Sequence, residues 1–455
     1  MDMSAYAKPE EVGHVGCFLD ISKLGPENVH PPEFTYPTIP DVELPVVTKP
    51  DKEVPQIEGS MSQGTVAQLM SIGPQDRFLS LNPQMTFFRQ VYRRHTNFAV
   101  ECIEEQFSKP EFAFGGLNVC KLGKHGDLIG NMTLQIALPN LGIAGGRWVD
   151  AVGYVLLAKI RLRIGDLVIQ THERLWYDIE DKLFLTDAHR SGLDAMIGRG
   201  TTLATDAAHT LHVPLKFFCC DRNSGRQQFV PVARLGRTVD IGVEIDAESL
   251  ENLVAVPPGT ALPPATASAL LLVDNVYLDA IERTRFATGP SQYMFEIVQD
   301  MDQLSYIASN GGNFPTNNVT VDLRELNMPV KYLAGVVYAE NYETNFEYLD
   351  EIESATFMIA AQQQFDPRPS AYFSLQQTYE HFVRSETSNV FAYSFAIHAG
   401  AWQPNGSLNF AVLSNPSLRF ILKNASSAPL KVKVFASCIN WVTFAGGMCA
   451  LRYDS

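Results

Sequence analysis

The chain has 455 residues, 46% hydrophobic and 19% charged, with 31 Gly and 27 Pro; that is ordinary globular composition, and it excludes a collagenous or wholly disordered protein. With 35 basic and 50 acidic side chains the formal net charge is −15, which argues against binding nucleic acid by bulk positive charge. No apolar run approaches the ~20 residues of a membrane-spanning helix, and Met1-Asp2-Met3-Ser4 lacks the basic and apolar regions of a secretory signal.

Residues 1–60 hold 4 basic and 11 acidic side chains and nine of the prolines, four of them evenly spaced at Pro40, Pro45, Pro50 and Pro55. Each proline fixes its own φ and biases its predecessor toward extended backbone. The segment reads as an acidic, polyproline-II-like arm, spanning roughly 80–90 Å over residues 31–58 at ~3.1 Å per residue. After it, Val66 to Ser71 reads as a short helix, and from about residue 110 the pattern is β. Met132, Leu134, Ile136 and Leu138 alternate with polar or small residues, the period of a half-buried strand. Ile160, Leu162 and Ile164 alternate with Lys159, Arg161 and Arg163; Gly165-Asp166 then turns the chain into Leu167-Val168-Ile169, which is a hairpin signal.

Tyr177 to Leu185 and Asp279 to Phe286 read as helices, and Val256 to Ala269 as an Ala/Pro-rich loop. Phe391, Tyr393, Phe395 and Ile397 alternate with small or polar residues. Phe410 to Leu413 and Leu418 to Leu422 flank Ser414-Asn415-Pro416-Ser417 as a hairpin, and Leu430, Val432 and Val434 alternate with lysines. Strand-rich stretches on both sides of residue 240 predict an all-β chain of two consecutive sandwiches, divided as an arm over 1–61, a first sandwich over 62–238 and a second over 239–455.

The motifs of common chemistries are missing: there is no P-loop, no Gly-x-Gly-x-x-Gly after a strand, no Gly-x-Ser-x-Gly and no His-Glu-x-x-His. A metal site on one strand face needs His-x-His, because same-face ligands sit two apart; His209 and His212 are three apart, and read as ordinary polar residues. The acidic run Tyr177, Asp178, Glu180 and Asp181 beside Trp176 reads as a solvated helix face rather than a metal site, and no partner is evident for His172 or His189. Seven cysteines without a CxxC read as reduced thiols. Four glycosylation sequons, at Asn131, Asn318, Asn405 and Asn424, are read as unmodified. Arg93-Arg94-His95 among Phe87, Phe88, Tyr92 and Phe98 predicts that at least one arginine is ion-paired within the first sandwich or at its base.

GPQDRFLSLNPQMTFFRQVYRRHTNFAVE, residues 73–101, resembles the N-terminal signature of the major capsid proteins of nucleocytoplasmic large DNA viruses. The matching residues include Asn82, Pro83, Phe87, Phe88, Tyr92, Arg93, Arg94, Thr96, Asn97 and Phe98. KHGDLIG, with Gly126 and Asp127, resembles that family's next hairpin. IRLRIGDLVIQTH, LWYDIEDKL, LHVPLKFFC, VYLDAIERTRFA, LNMPVKYLAGVV and YSFAIHAGAWQPNGSLNF fall in the family's order. Departures are the added arm and Ala411-Val412, where the family commonly has Ser-Arg.

The resemblance implies a double jelly roll, two eight-stranded sandwiches in one chain. It implies a homotrimeric, pseudo-hexagonal capsomer of an icosahedral shell, with no catalytic, cofactor or metal residues. The implied surroundings are neighbouring capsomers, minor capsid proteins beneath the shell and an inner viral membrane close by, with no direct nucleic acid. The implied location is the virion capsid, after assembly in host cytoplasm. Alternatives are a minor capsid paralogue of the same fold, or a jelly-roll glycan-binding or metal-dependent protein.

Overall fold

The structure, a computed structural model, describes residues 63–90, 92, 94–220, 228–288, 291–301, 318–339, 346–384, 389–423 and 430–453. The arm over 1–61, Arg93 and the sequon at Asn424 lie outside them. The chain divides into two compact units, residues 1–92 and 93–455. In the first unit the described residues carry a helix at Gln63–Met70, a 3-10 turn at Pro74–Asp76 and a helical turn at Arg77–Ser80, and no strand.

Residues 93–455 hold two sandwiches. The first is built from β1 (Phe98–Gln106), β2 (Leu117–Leu122), β3 (Leu128–Leu138), β4 (Leu157–Ile164), β5 (Leu167–Glu173), β6 (His209–Pro214), β7 (Ile241–Ala247) and β8 (Thr266–Leu278). Its sheets run β1-β8-β3-β6, with short strands added at Phe112–Ala113 and Val230–Pro231, and β2-β7-β4-β5. The second sandwich uses β9 (Ser291–Met301), β10 (Asn318–Asp322), β11 (Pro329–Ala339), β12 (Ile352–Ile359), β13 (Gln362–Gln363), β14 (Phe391–Ser394), β15 (Ser417–Leu422) and β16 (Leu430–Ala445). Its sheets run β9-β16-β11-β14 and β10-β15-β12-β13, with short strands added at both. The order is the same twice over, every strand number advanced by eight. All paired strands are antiparallel, and the chain crosses between facing sheets at nearly every connection, as in a jelly roll.

The side-chain period drives this. Along β7, Ile241, Val243, Ile245 and Ala247 are buried while Gly242, Glu244 and Asp246 alternate outward; each fully buried aliphatic contributes ~1.5–3 kcal/mol. The outward residues meet β4 across the ladder, where Arg161 pairs Asp246 at 2.7 Å and Arg163 pairs Glu244 at 2.7 Å. The hairpin expected around Gly165-Asp166 joins β4 to β5, with Gly165 at φ 62°, a value that costs glycine little. By contrast β11 is buried along nearly its whole length, because one face meets the sandwich core and the other meets the first sandwich.

Several expectations are corrected. β7 and β8 pair with β2, β4, β1 and β3, so a boundary at 238/239 would cut the first sandwich in two. The strand pattern breaks instead between Leu278 and Ser291, where the helix Ala280–Ala287 intervenes. The described residues of the 62–92 stretch form no strand. Phe410–Val412 is a 3-10 turn rather than a strand, with the Asn409 side chain accepting from the Ala411 N–H; that local bond competes with the ladder. The alternation over 391–397 forms a strand only to Ser394, where Ser394 Oγ accepts from the Ala396 N–H and turns the chain. A helix at Asp187–Ile197 was not expected at all.

Candidate functional site

The signature residues do not converge on one point. Asn82 adopts φ 53° before Pro83, a conformation that Asn tolerates better than most residues. Phe87, Phe88 and Tyr92 are exposed, as is Phe78, and the Tyr92 hydroxyl donates to Gln90 Oε1 at 2.6 Å. Arg94, Thr96 and Asn97 are exposed. Arg94 has no ion pair among the described residues; the expectation that at least one of Arg93 and Arg94 is paired turns on Arg93, which lies outside them. Phe98 opens β1 and is 54% exposed.

Gly126 and Asp127 do meet structure. A Cβ on Gly126 would lie 3.0 Å from the Val276 carbonyl oxygen and 3.1 Å from Asn275 Cβ; this close approach is what requires glycine. The buried Asp127 carboxylate accepts from the Leu278 N–H at 2.8 Å and receives Arg283 through Nε at 2.8 Å and Nη2 at 2.9 Å. One side chain thus ends β8 and holds the connecting helix Ala280–Ala287, through the two-point geometry that favours arginine.

The largest concentration of buried charge lies elsewhere, on the helix Arg174–Phe184 between the sandwiches. Leu175, Trp176, Tyr177, Ile179 and Leu183 are buried on three sides of it, and Asp178 and Asp181 are buried with them. The expectation of a solvated acidic face is therefore wrong. Asp178 receives Arg199 at 2.6 Å, Lys182 at 2.8 Å and the Tyr348 hydroxyl of the second sandwich at 2.7 Å. Asp181 receives Lys216 at 2.6 Å and the Tyr154 hydroxyl at 2.7 Å. Burial and Asp178 push the Tyr348 phenol well above its ordinary pKa, so it stays a donor. Burial pulls the Lys216 ammonium down, but Asp181 and Glu180 outweigh it and hold it above its usual value.

Apolar and polar contacts around this helix fuse the sandwiches. Trp176 stacks on Tyr332 at 6.3 Å and meets Phe435 at 5.6 Å, while Phe184 meets Tyr332 and Phe382. Buried Lys433 of β16 pairs with Glu173 of β5 and with Asp300 at 3.3 Å. Edge strand β9 has two of its outward carbonyls covered: Gln170 donates to the Glu296 carbonyl oxygen at 2.8 Å and Gln228 to the Met294 carbonyl oxygen at 2.6 Å. Phe218 packs on Phe295 at 5.3 Å. The Gly236 N–H donates to the Gly447 carbonyl at 2.8 Å, closing the far side.

His172 and His209 are held by neighbouring protein groups. His172, expected to lack a partner, is buried, stacked on Phe217 at 5.7 Å and edge-on to Tyr177; burial and Lys216 lower its pKa to about 3, so it is neutral. His209 bonds the Ala204 carbonyl. Asn131 is buried in β3 and donates to Asp274, which hides its sequon. Among the described residues no three His, Cys, Asp or Glu side chains are grouped to hold a metal ion. The arrangement is a rigid coupling of two sandwiches. Nothing in the sequence marks the roles of Gln170 and Gln228, and its pattern misplaces Asp178 and Asp181 on a solvated face; the one available signal was a helix with apolar residues on three sides, leaving its acids no wholly solvated face.

Two family models match in succession: major capsid protein N-terminus over residues 86–283, and large eukaryotic DNA virus major capsid protein over residues 282–450. Their junction coincides with the helix between β8 and β9. The major capsid protein of Pyramimonas orientalis virus is 32% identical, with 86% of this chain and all of that protein covered. That of Paramecium bursaria Chlorella virus 1 is 28% identical over 80% of this chain and 88% of the relative. Among solved structures, a capsid model of the same Chlorella virus superposes with TM-score 0.70 at 24% identity, over 81% of this chain and all of that one. The Faustovirus major capsid protein superposes with TM-score 0.61 at 10% identity, over 83% of this chain and 96% of that one; these share the double jelly-roll fold. Full coverage of a relative at that level of identity, on a fold of two like sandwiches, places the chain in the major capsid protein family of large eukaryotic DNA viruses.

Proposed function

We propose that the chain is the structural capsomer subunit of an icosahedral virus shell, and that three copies close into a block of six similar sandwiches. The observation that carries this is the identical strand order of the two sandwiches, joined by a junction of buried ion pairs and stacked aromatics. A rigid two-sandwich subunit needs only three copies to approximate a hexagonal tile, and closed rotational symmetry supplies the rest. In this reading neighbouring capsomers pack side by side, minor capsid proteins lie beneath the shell above an inner viral membrane, and assembly takes place in host cytoplasm. The arm over 1–61 leaves the body as an acidic strap to neighbouring or underlying proteins. With a net charge of −15, direct packaging of nucleic acid falls to other components.

Light scattering on the purified protein, followed by imaging of particles, tests the reading. Trimers that tile the shell faces are the expected result. A stable monomer at assembly concentrations would refute it, and confinement of the chain to sites beneath the faces would identify it as the minor paralogue.

A further inference from the structure

The internal repeat can be set in register residue by residue, and doing so exposes an unfilled half-interface. In each sandwich the third strand carries a bulge, and the first regular pairs beyond it are Met132 with Val273 and Tyr332 with Ser437. Val273 pairs with Ile103 of β1, and Ser437 with Val298 of β9. Val100 is therefore the counterpart of Phe295, and Glu101 that of Glu296. One step along the third strands, Thr133 pairs with Pro214 and Leu333 with Tyr393; four residues later stand Phe218 and Ile397. Strands β4 and β12 end at Ile164 and Ile359, each before a two-residue turn. Gln170 then pairs with Leu162, and the Gln364 N–H donates to the Phe357 carbonyl at 2.9 Å, which makes Gln364 the counterpart of Gln170.

Inside the chain, the covering pair belongs to the first sandwich and the acceptor edge to the second: Phe218 covers Phe295, and Gln170 caps the Glu296 carbonyl. Phe295 is 5% exposed as a result. The counterparts are left open in the lone chain. Val100 is 55% exposed and Ile397 64% exposed, Gln364 is exposed, and among the described residues no strand pairs with the outer edge of β1. An open strand edge flanked by apolar side chains is a surface that proteins cover.

We propose that the open edge of β1 receives the second sandwich of another copy of this chain, with Ile397 seated against Val100 and Gln364 donating to the Glu101 carbonyl. The occupant is a second copy because the covering half already exists on this chain, in the register that fills the equivalent edge at β9. Each copy then carries one acceptor edge and one donor face, so the contact is head-to-tail and is satisfied at every copy only in a closed ring. The inference rests on the three-copy reading and names the surface that makes it.

The test uses the full chain with Val100→Asp and Ile397→Asp, both at positions exposed in the single subunit. Light scattering should find each variant monomeric at concentrations where the parent is trimeric, with its secondary structure unchanged. An equimolar mixture should form dimers and stop there, because the intact edge of the Ile397→Asp copy meets the intact donor face of the Val100→Asp copy. Trimeric variants, or a mixture that stays monomeric, would overturn this surface while leaving a trimeric parent, and the three-copy reading, standing. A monomeric parent would remove both.

Discussion

Replacing Asp178 should uncouple the sandwiches from within. Its side chain is 1% exposed and accepts from Arg199, Lys182 and Tyr348 at 2.6, 2.8 and 2.7 Å. Asp178→Ala leaves two largely buried cations short of their main anion, and removing one partner of a buried pair costs ~3–5 kcal/mol. Among the described residues, the one ion pair left to Arg199 is the 3.7 Å contact with Asp194. Tyr348→Phe removes one donor from a carboxylate that keeps two others, at a cost of about 1 kcal/mol. Residues 93–455 form one compact unit, and at ~2.1 cal/mol/K of unfolding entropy per residue the Asp178→Ala cost lowers Tm by roughly 4–7 °C, against 1–2 °C for Tyr348→Phe. Scanning calorimetry on the purified subunit reads both. An Asp178→Ala midpoint within a degree of the parent, or a larger loss from Tyr348→Phe, would refute the view that this carboxylate anchors the junction.

His172 is held neutral with its pKa lowered to about 3, whereas the unfolded chain protonates it near 6.5. The unfolded state therefore binds more protons throughout that window, and stability falls as pH drops from about 6.5 toward 3; His172→Phe should flatten that part of the Tm-against-pH curve. Gly126→Ala drives a methyl against the Val276 carbonyl and Asn275 and should cost ~1–3 kcal/mol, read by urea unfolding, whereas Gly192→Ala, where nothing lies within 4 Å, should not destabilise. Deleting residues 1–58 should leave trimers intact and impair shell assembly, with attachment of the arm weakening as salt rises; truncated chains that build shells of normal strength would count against a strap.

Fold class was legible in the residues because a half-buried strand writes its period into the sequence: Met132 to Leu138 and Ile160 to Ile164 alternate as they pair. The family was legible as well, through the run from Gly73 to Glu101. What stayed hidden depended on partners distant in the chain. The 238/239 division failed because a jelly roll returns its seventh and eighth strands to pair with the first four, and a local pattern carries no record of that return. Asp178 and Asp181 looked like solvent-facing acids because a helix alone cannot show that Lys216, Arg199 and Tyr348 will surround it. Arg94 shows the converse, a charge among aromatics that is exposed. Periodicity and motif order are local properties, carried by neighbouring residues, and they settled fold class and family without any tertiary contact. Burial, charge pairing and the match between Gln170 and Gln364 arise only when strands far apart in the chain are brought side by side, and those the tertiary structure decided.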